Sequence, residues 1–479
     1  MQATDQTKSY GRRASLLSIG VGITGLITYL YFAIASHELS RDQYGQVAVL
    51  WSAVFIVVSV LQRPVEQLLS RTISENLADG VPIGRTVRVA ATIQLGVAVC
   101  FDIVVLLLRT PIQDHLLDGN STLYWIGVAA ITAYGASFFA RGFLAGSHRL
   151  TIYALQIMSE SVARTAFPFA VALGIASGQT AIALGIAAAP TLSLIVVPFA
   201  FLRRFGGAAA GGGPEGTPSE AATDSGAAAA HLRRGSPSGT SPAAAPSSEF
   251  TLASGGRFAA GVFLILLSEQ TFLNAGVLLT NATADAAAAG FVFNILMIAR
   301  APLQLFQAVQ TSLLPHLTTL GSRGEEKDFR ASIRVTLVAI AGFAALVTLA
   351  MLIAGPKIMQ IAFGKQHSYG RTDLVVVAIG MGLYLSAATL NQAALARGQV
   401  RRASFCWVGC AIAFLVWNVL PIVDSEVTRV VIGYLGAAAL LFSVLYWLYR
   451  QPLEPREVRV EPGSAEEIEL QLASADEAG

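Results

Sequence analysis

Residues Gly290 to Thr318 read GFVFNILMIARAPLQLFQAVQTSLLPHLT, a long apolar run that holds one arginine, Arg300. A charge at membrane depth costs about 2.5–3.5 kcal/mol on insertion scales, so such a residue marks a functional site by default. The stretch also echoes an earlier one. Aligned without gaps on Gly45 to Ile73, GQVAVLWSAVFIVVSVLQRPVEQLLSRTI, it places Gly45 on Gly290, Val47 on Val292, Gln62 on Gln307 and Leu68-Leu69 on Leu313-Leu314. The earlier copy has its own deep arginine, Arg63, and each copy follows the first hydrophobic span of its half. The pattern is that of a duplicated membrane protein with polar groups facing a cavity between its halves.

The rest of the chain agrees. Of 479 residues, 54% are hydrophobic and only 13% charged, against about 25% charged in a soluble domain; the mean hydropathy is +0.60. A span needs about 20 mostly apolar residues. That rule yields about twelve spans, near 14–36, 44–70, 87–108, 121–145, 152–175, 179–202, 256–281, 286–315, 332–354, 373–396, 402–422 and 427–449. The run at 14–36 is too long for a secretory signal and is read as the first span. A Gly/Ala/Pro/Ser tract, Gly206 to Ser248, lacks large apolar residues and cannot form a core. The expected organisation is an N-terminal six-helix bundle (1–202), a disordered linker (203–255), a C-terminal six-helix bundle (256–450) and a disordered acidic tail (451–479).

Orientation follows from loop cations. With the N-terminus inside, 23 of the 32 lysines and arginines fall on the cytoplasmic side, Arg141 counted among them, and 6 outside. Arg63, Arg164 and Arg300 remain at membrane depth. Both termini are therefore expected in the cytoplasm. The basic loop from Lys357 to Arg371 is the one placed against the trend.

Catalytic chemistry is absent from the pattern. The external loops are short. The six histidines sit at loops or span ends, and there is no metal-ligand spacing, phosphate loop or nucleophile with a paired base. No catalytic residue, metal or cofactor is expected, nor a nucleic-acid partner. Cys100, Cys406 and Cys410 lie in apolar runs and read as small packing residues.

Polar residues fall in stripes on four spans. Ser52, Ser59, Arg63, Glu66 and Ser70 share a face of the second, and Gln156, Glu160 and Arg164 stack on the fifth. Gln270 and Asn274 share a face of the seventh with Glu269 at its edge, and Arg300, Gln304, Gln307 and Thr311 line the eighth. Each has a plainer reading. Glu160 and Arg164 can neutralise each other, Arg63 lies near Glu66, and the Ser and Gln stripes can be packing contacts. Arg300 has no acid three or four residues away. Asp102 reads equally as a structural hydrogen-bond acceptor.

Three short motifs carry a family resemblance. Leu39-Ser40-Arg41-Asp42-Gln43-Tyr44-Gly45 after the first span resembles an LS-x-x-x-YG element. Arg141-Gly142-Phe143-Leu144-Ala145-Gly146 resembles RG-x-L-x-G, and Leu314-Pro315-His316-Leu317 a P-x-L exit. In this order they resemble, over Ser15 to Arg450, the polysaccharide and oligosaccharide-lipid flippases of the multidrug/oligosaccharidyl-lipid/polysaccharide (MOP) exporter superfamily. The resemblance implies two six-helix bundles around a cavity that opens alternately to each side. It also implies a polyprenyl-diphosphate-linked glycan as substrate, moved across the cytoplasmic membrane during polysaccharide biosynthesis. The superfamily's longer members carry two more C-terminal spans, which points away from the peptidoglycan-precursor branch.

Under that resemblance the cavity must hold a diphosphate, and arginine suits it because its fork binds phosphate oxygens bidentately. Arg300 is the expected contact, with Arg63, Glu66, Glu160, Arg164, Glu269, Gln270, Asn274 and Gln304 beside it; Glu269 is also the candidate carrier of a coupling proton, the coupling ion being a proton or sodium. The rival for Arg300 is an ion pair with Glu269. A drug/cation antiporter of the same superfamily is the competing function and would favour an acidic cavity. A membrane glycosyltransferase, polymerase or ligase would need a large external loop. A purely structural partner leaves the deep charges unexplained.

Overall fold

The computed structural model describes residues 22–198, 252–322, 326–364 and 369–451. The linker, the basic N-terminal flank and the acidic tail lie outside them. The described residues are helical, with no strand among them. The first half contains α1 (22–38), α2 (Arg41–Ala78), α3 (Gly84–Leu107), a short α4 (Arg109–Leu116), α5 (Ser121–Gly146), α6 (Leu150–Ala172) and α7 (Gly178–Ser193). The second contains α8 (Leu252–Thr283), α9 (Ala286–Ser322), α10 (Glu326–Phe363), α11 (Arg371–Ala396), α12 (Val400–Val419) and α13 (Glu426–Arg450).

Setting α4 aside, six long helices stand in each half. Ten of the twelve are long and apolar enough to cross a membrane. The described part of α1 is short, and α6 is made too polar for hydropathy alone by Gln156, Ser159, Glu160, Ser161 and Arg164. The expected fold class, an all-helical polytopic membrane protein in two lobes, is the one observed.

Several boundaries differ from the sequence reading. α2 and α10 each have 38 residues, roughly 57 Å at 1.5 Å per residue, against a hydrocarbon core of about 30 Å. Both project well past the bilayer, which hydropathy cannot register because the projecting turns are polar. Lys357 therefore lies inside α10 and not in an external loop, and part of the expected loop after Arg109 is the helix α4.

In the first lobe α2 packs on α5, α5 on α7, and α7 on α6. In the second, α11 packs on α9, α10 and α13, while α8 packs on α12. α2 joins the lobes by lying against both α8 and α9. Its start is fixed by a capping box: the Ser40 side chain accepts from the Gln43 N–H, and the Gln43 side chain accepts from the Ser40 N–H.

The internal repeat has a direct structural counterpart. Gly45 and Gly290, equivalent in the alignment, touch: a Cβ on Gly290 would stand 2.9 Å from the Gly45 Cα, and one on Gly45 would overlap the Ala286 carbonyl. Equivalent positions that meet each other lie at a local pseudo-two-fold axis, and only a residue without a side chain lets two backbones approach so closely.

Candidate functional site

The most completely bonded charges lie inside the first lobe. Glu160 on α6 takes Arg141 on one oxygen and Arg164, at 2.9 Å, on the other. Arg164 also donates to the Tyr134 hydroxyl at 2.8 Å and lies over the Trp51 ring. Ser137 donates to Glu160 at 3.2 Å, and the Gln156 amide donates to the Ser137 carbonyl. All of these side chains except the ring faces are polar, and all are buried. The Glu160–Arg164 pairing within one helix is the plainer of the two sequence readings. The third member, Arg141, is not the cytoplasmic loop residue that the charge count expects. It lies on α5, buried, five residues before the helix ends, inside the expected span 121–145, where a charge near the span's end is counted with the loop.

The RG-x-L-x-G motif is thereby explained. Arg141 completes the triad, and the two glycines seat α5 against α2. A Cβ on Gly142 would come within 2.8 Å of the Glu66 carbonyl, and one on Gly146 within 2.6 Å of the Ser70 carbonyl.

A second set of charges stands between the lobes. Arg63, half-buried on α2 just before Pro64, makes no hydrogen bond or ion pair among the described residues. Its guanidinium nevertheless acts on Glu66 of its own helix and on Glu269 of α8 in the other lobe. Glu66 accepts from the Tyr153 hydroxyl at 3.1 Å and feels Arg141. Glu269 has no hydrogen-bond partner among the described residues, and Arg63 is the charge it faces. Of the α2 stripe, Ser52 and Ser59 are buried and Ser70 is half-buried.

Arg300 is held by neutral groups of the neighbouring helix α8. One of its amino groups donates to the Leu273 carbonyl and to the Asn274 side-chain oxygen, the latter at 2.8 Å, and its guanidinium lies 4.5 Å over Phe293. Asn274 in turn donates to the Gln270 side-chain oxygen at 3.1 Å. The expected alternative, an ion pair with Glu269, is not formed. Neutral acceptors on α8 satisfy Arg300, although its Nε remains unbonded. The side chains of Gln304, Gln307 and Thr311 lie outside the described residues, as do those of Leu314, Pro315 and His316. Asp102 accepts from Thr132 at 3.1 Å, a structural role.

At the end where α2 and α9 begin, the lobes are joined. Tyr44 donates to Asn294, which donates to the Tyr369 hydroxyl at 3.2 Å. Phe32 meets Phe293 and Tyr29 meets Phe363 at ring separations of 4.5 and 5.2 Å, and Asn281 donates to the Leu116 carbonyl. The LS-x-x-x-YG element is thus a seal: Ser40 caps α2, Tyr44 bridges the lobes and Gly45 admits α9. Sequence reasoning notes the motif without finding Asn294 or Tyr369, since a polar residue in an apolar run carries no sign of its partner. Among the described residues no group of His, Cys, Asp and Glu suits a metal ion.

Comparison with known proteins follows this geometry. Residues 10–229 match the model of a family described as polysaccharide biosynthesis protein. No curated protein matches the chain by sequence. Among solved structures, a multidrug-resistance MATE family transporter of the MOP superfamily in an inward-facing conformation superposes with a TM-score of 0.64 at 12% identity, covering 91% of this chain and 97% of its own. The outward-facing form of such a transporter gives 0.55 at 14% identity, covering 91% and 94%. A point mutant of the Vibrio cholerae MATE transporter VcmN gives 0.58 at 14% identity, covering 92% and 97%. The family match and the shared fold support the resemblance read from the motifs, that of a polysaccharide-type exporter of the MOP superfamily. The shared fold is that of a multi-pass membrane protein.

Proposed function

We propose that this MOP-superfamily exporter carries a polyprenyl-diphosphate-linked oligosaccharide from the inner to the outer leaflet of the cytoplasmic membrane by alternating access. The observation that carries the reading is the unbonded Arg63, facing Glu66 and Glu269 between two lobes whose other deep arginines, Arg141, Arg164 and Arg300, each donate to an acceptor. A cation without a hydrogen bond in a lobe interface is ready for an anion. The guanidinium fork matches a diphosphate, while the two acids limit how tightly it is held.

The loop cations favour both termini in the cytoplasm; in that orientation the sealed end is the outer one and the space between the lobes opens inward. In this reading the diphosphate docks at Arg63 from the cytoplasmic side. Arg63 then leaves Glu269, which takes up the coupling proton or sodium. Gln270, Asn274 and Arg300 form a polar wall for the sugar chain. Glu160 and Arg164, with Arg141, hold α5 and α6 rigid behind α2. Release outward requires Tyr44 to part from Asn294 and Gly45 from Gly290.

One observation favours the cation-antiporter reading: Glu269 has no hydrogen-bond donor among the described residues and could receive a cationic drug. Purified protein in vesicles separates the two. The flippase reading expects faster movement of a fluorescent polyprenyl-diphosphate oligosaccharide than in protein-free vesicles, and none of a cationic dye such as ethidium. Dye transport with an unmoved glycolipid would overturn it in favour of the antiporter.

A further inference from the structure

A large groove of about 2190 Å³ lies in the second lobe, with α11 as its floor, α10 and α13 as its walls and Thr318 of α9 at its edge. Small-molecule pockets hold roughly 300–1,000 Å³, so this groove is oversized for a soluble ligand. Its walls carry Leu337, Val338, Leu349, Leu352, Ile379 and Leu383. Several of these are exposed, Val338 at 65%.

Its charged residues gather at one end, where α10 begins and α11 and α13 finish. Four arginines stand there, Arg330, Arg334, Arg397 and Arg450, with one carboxylate among them, Glu326. Glu326 takes Arg330 at 2.9 Å and Arg397 at 2.8 Å on the same oxygen. Arg397 is buried and also donates to the Tyr449 carbonyl at 2.7 Å. Arg334 has no partner among the described residues, and Arg450 has only the Tyr446 ring, at 4.8 Å. Both are exposed. The groove is thus cationic where its helices leave the membrane and apolar along its depth.

We propose that this groove holds one anionic phospholipid, its phosphate between Arg334 and Arg450 and its acyl chains along the α10–α11 walls. The excess of arginines over Glu326 calls for an anion, and the fork geometry of arginine suits phosphate. The apolar length beneath calls for hydrocarbon, which a free phosphate or an acidic peptide does not supply.

The test is native mass spectrometry of the full chain with phosphatidylglycerol and with phosphatidylcholine of the same acyl chains. One phosphatidylglycerol should be retained under activation that strips phosphatidylcholine. Retention should fall at least ten-fold in Arg334→Ala/Arg450→Ala. It should persist in Arg85→Ala/Arg88→Ala, which removes two exposed arginines from the start of α3 in the other lobe. Both pairs are exposed, so folding is expected to survive, and a melting curve checks it. Equal retention of the two lipids, or equal loss from the two double variants, would overturn the proposal. So would a polyprenyl diphosphate that displaces phosphatidylglycerol one for one, since the groove would then belong to the transported lipid. Phosphatidylglycerol binding seen only after residues 452–479 are removed would overturn it too, by giving the arginines to the acidic tail.

Discussion

Two clusters of the same residue types sit side by side in this molecule and are built on opposite terms. Glu160 is bonded to Arg141, Arg164 and Ser137 within one lobe, and all four side chains are buried. Arg63 and Glu269 sense each other across the two lobes without a hydrogen bond. A lobe that moves as a rigid body can hold a satisfied triad through the whole transport cycle. An interface that must open and close cannot be held by a dense buried network, because each opening would strand several charges. Under the proposed function, the contrast separates charges that maintain a lobe from charges available to a substrate, which residue identity alone does not.

The largest expected effect breaks the first cluster. Glu160→Gln leaves Arg164 buried without its carboxylate and Arg141 with only the field of Glu66, and removing one partner of a buried pair costs about 3–5 kcal/mol. The variant should melt well below the wild type and accumulate poorly. A wild-type melting temperature would mean that the triad carries little of the lobe's stability.

Next comes the seal. Gly45→Val would drive a side chain into the Ala286 carbonyl, and overpacking of this kind costs about 1–3 kcal/mol. Much of that cost falls only on the conformation in which α2 and α9 touch. A cysteine placed at Asn294 should therefore become more reactive toward an external thiol reagent in the Gly45→Val background. Unchanged reactivity would show that this contact does not define the closed end.

The fold was largely legible before the structure, and the pairings were not. Twelve apolar runs, a core-free tract between them and the Gly45/Gly290 register foretold two six-helix lobes, and the two glycines do meet. The i, i+4 spacing of Glu160 and Arg164 announced their pairing because a helix fixes that geometry by itself. Arg141, Asn274 and Asn294 find their partners across helices, and the packing that brings them together has no signature in any single stretch. Arg300 shows the consequence. With no acid nearby in sequence it is expected to need an anion or a partner on another helix, and only the structure shows that a carbonyl and an amide on α8 are that partner.

A smaller effect probes that last point. Asn274→Ala takes from Arg300 its side-chain acceptor, and interhelical hydrogen bonds in membranes are worth about 0.6 to 1.7 kcal/mol. A modest drop in melting temperature is expected, with transport reduced by less than in an Arg63 variant. Transport lost more completely than in an Arg63 variant would move the substrate contact to the α8–α9 wall. Smallest of all, Tyr44→Phe removes one hydrogen bond of the seal, about 0.6 kcal/mol. It should slightly raise labelling of a cysteine placed at buried Ala48, one turn from Tyr44 with Asn294 left in place, while leaving the melting temperature unchanged within error. A large thermal shift would make Tyr44 part of the core and not of a gate.

The central claim is that Arg63 is held for the substrate and not for the fold. Its direct test is Arg63→Gln, purified and reconstituted into vesicles, with glycolipid movement and melting temperature measured on the same preparation. The account expects movement of the polyprenyl-diphosphate oligosaccharide to fall at least ten-fold while the melting temperature stays at the wild-type value. Wild-type movement, or a loss that only tracks a collapse in thermal stability, would contradict it.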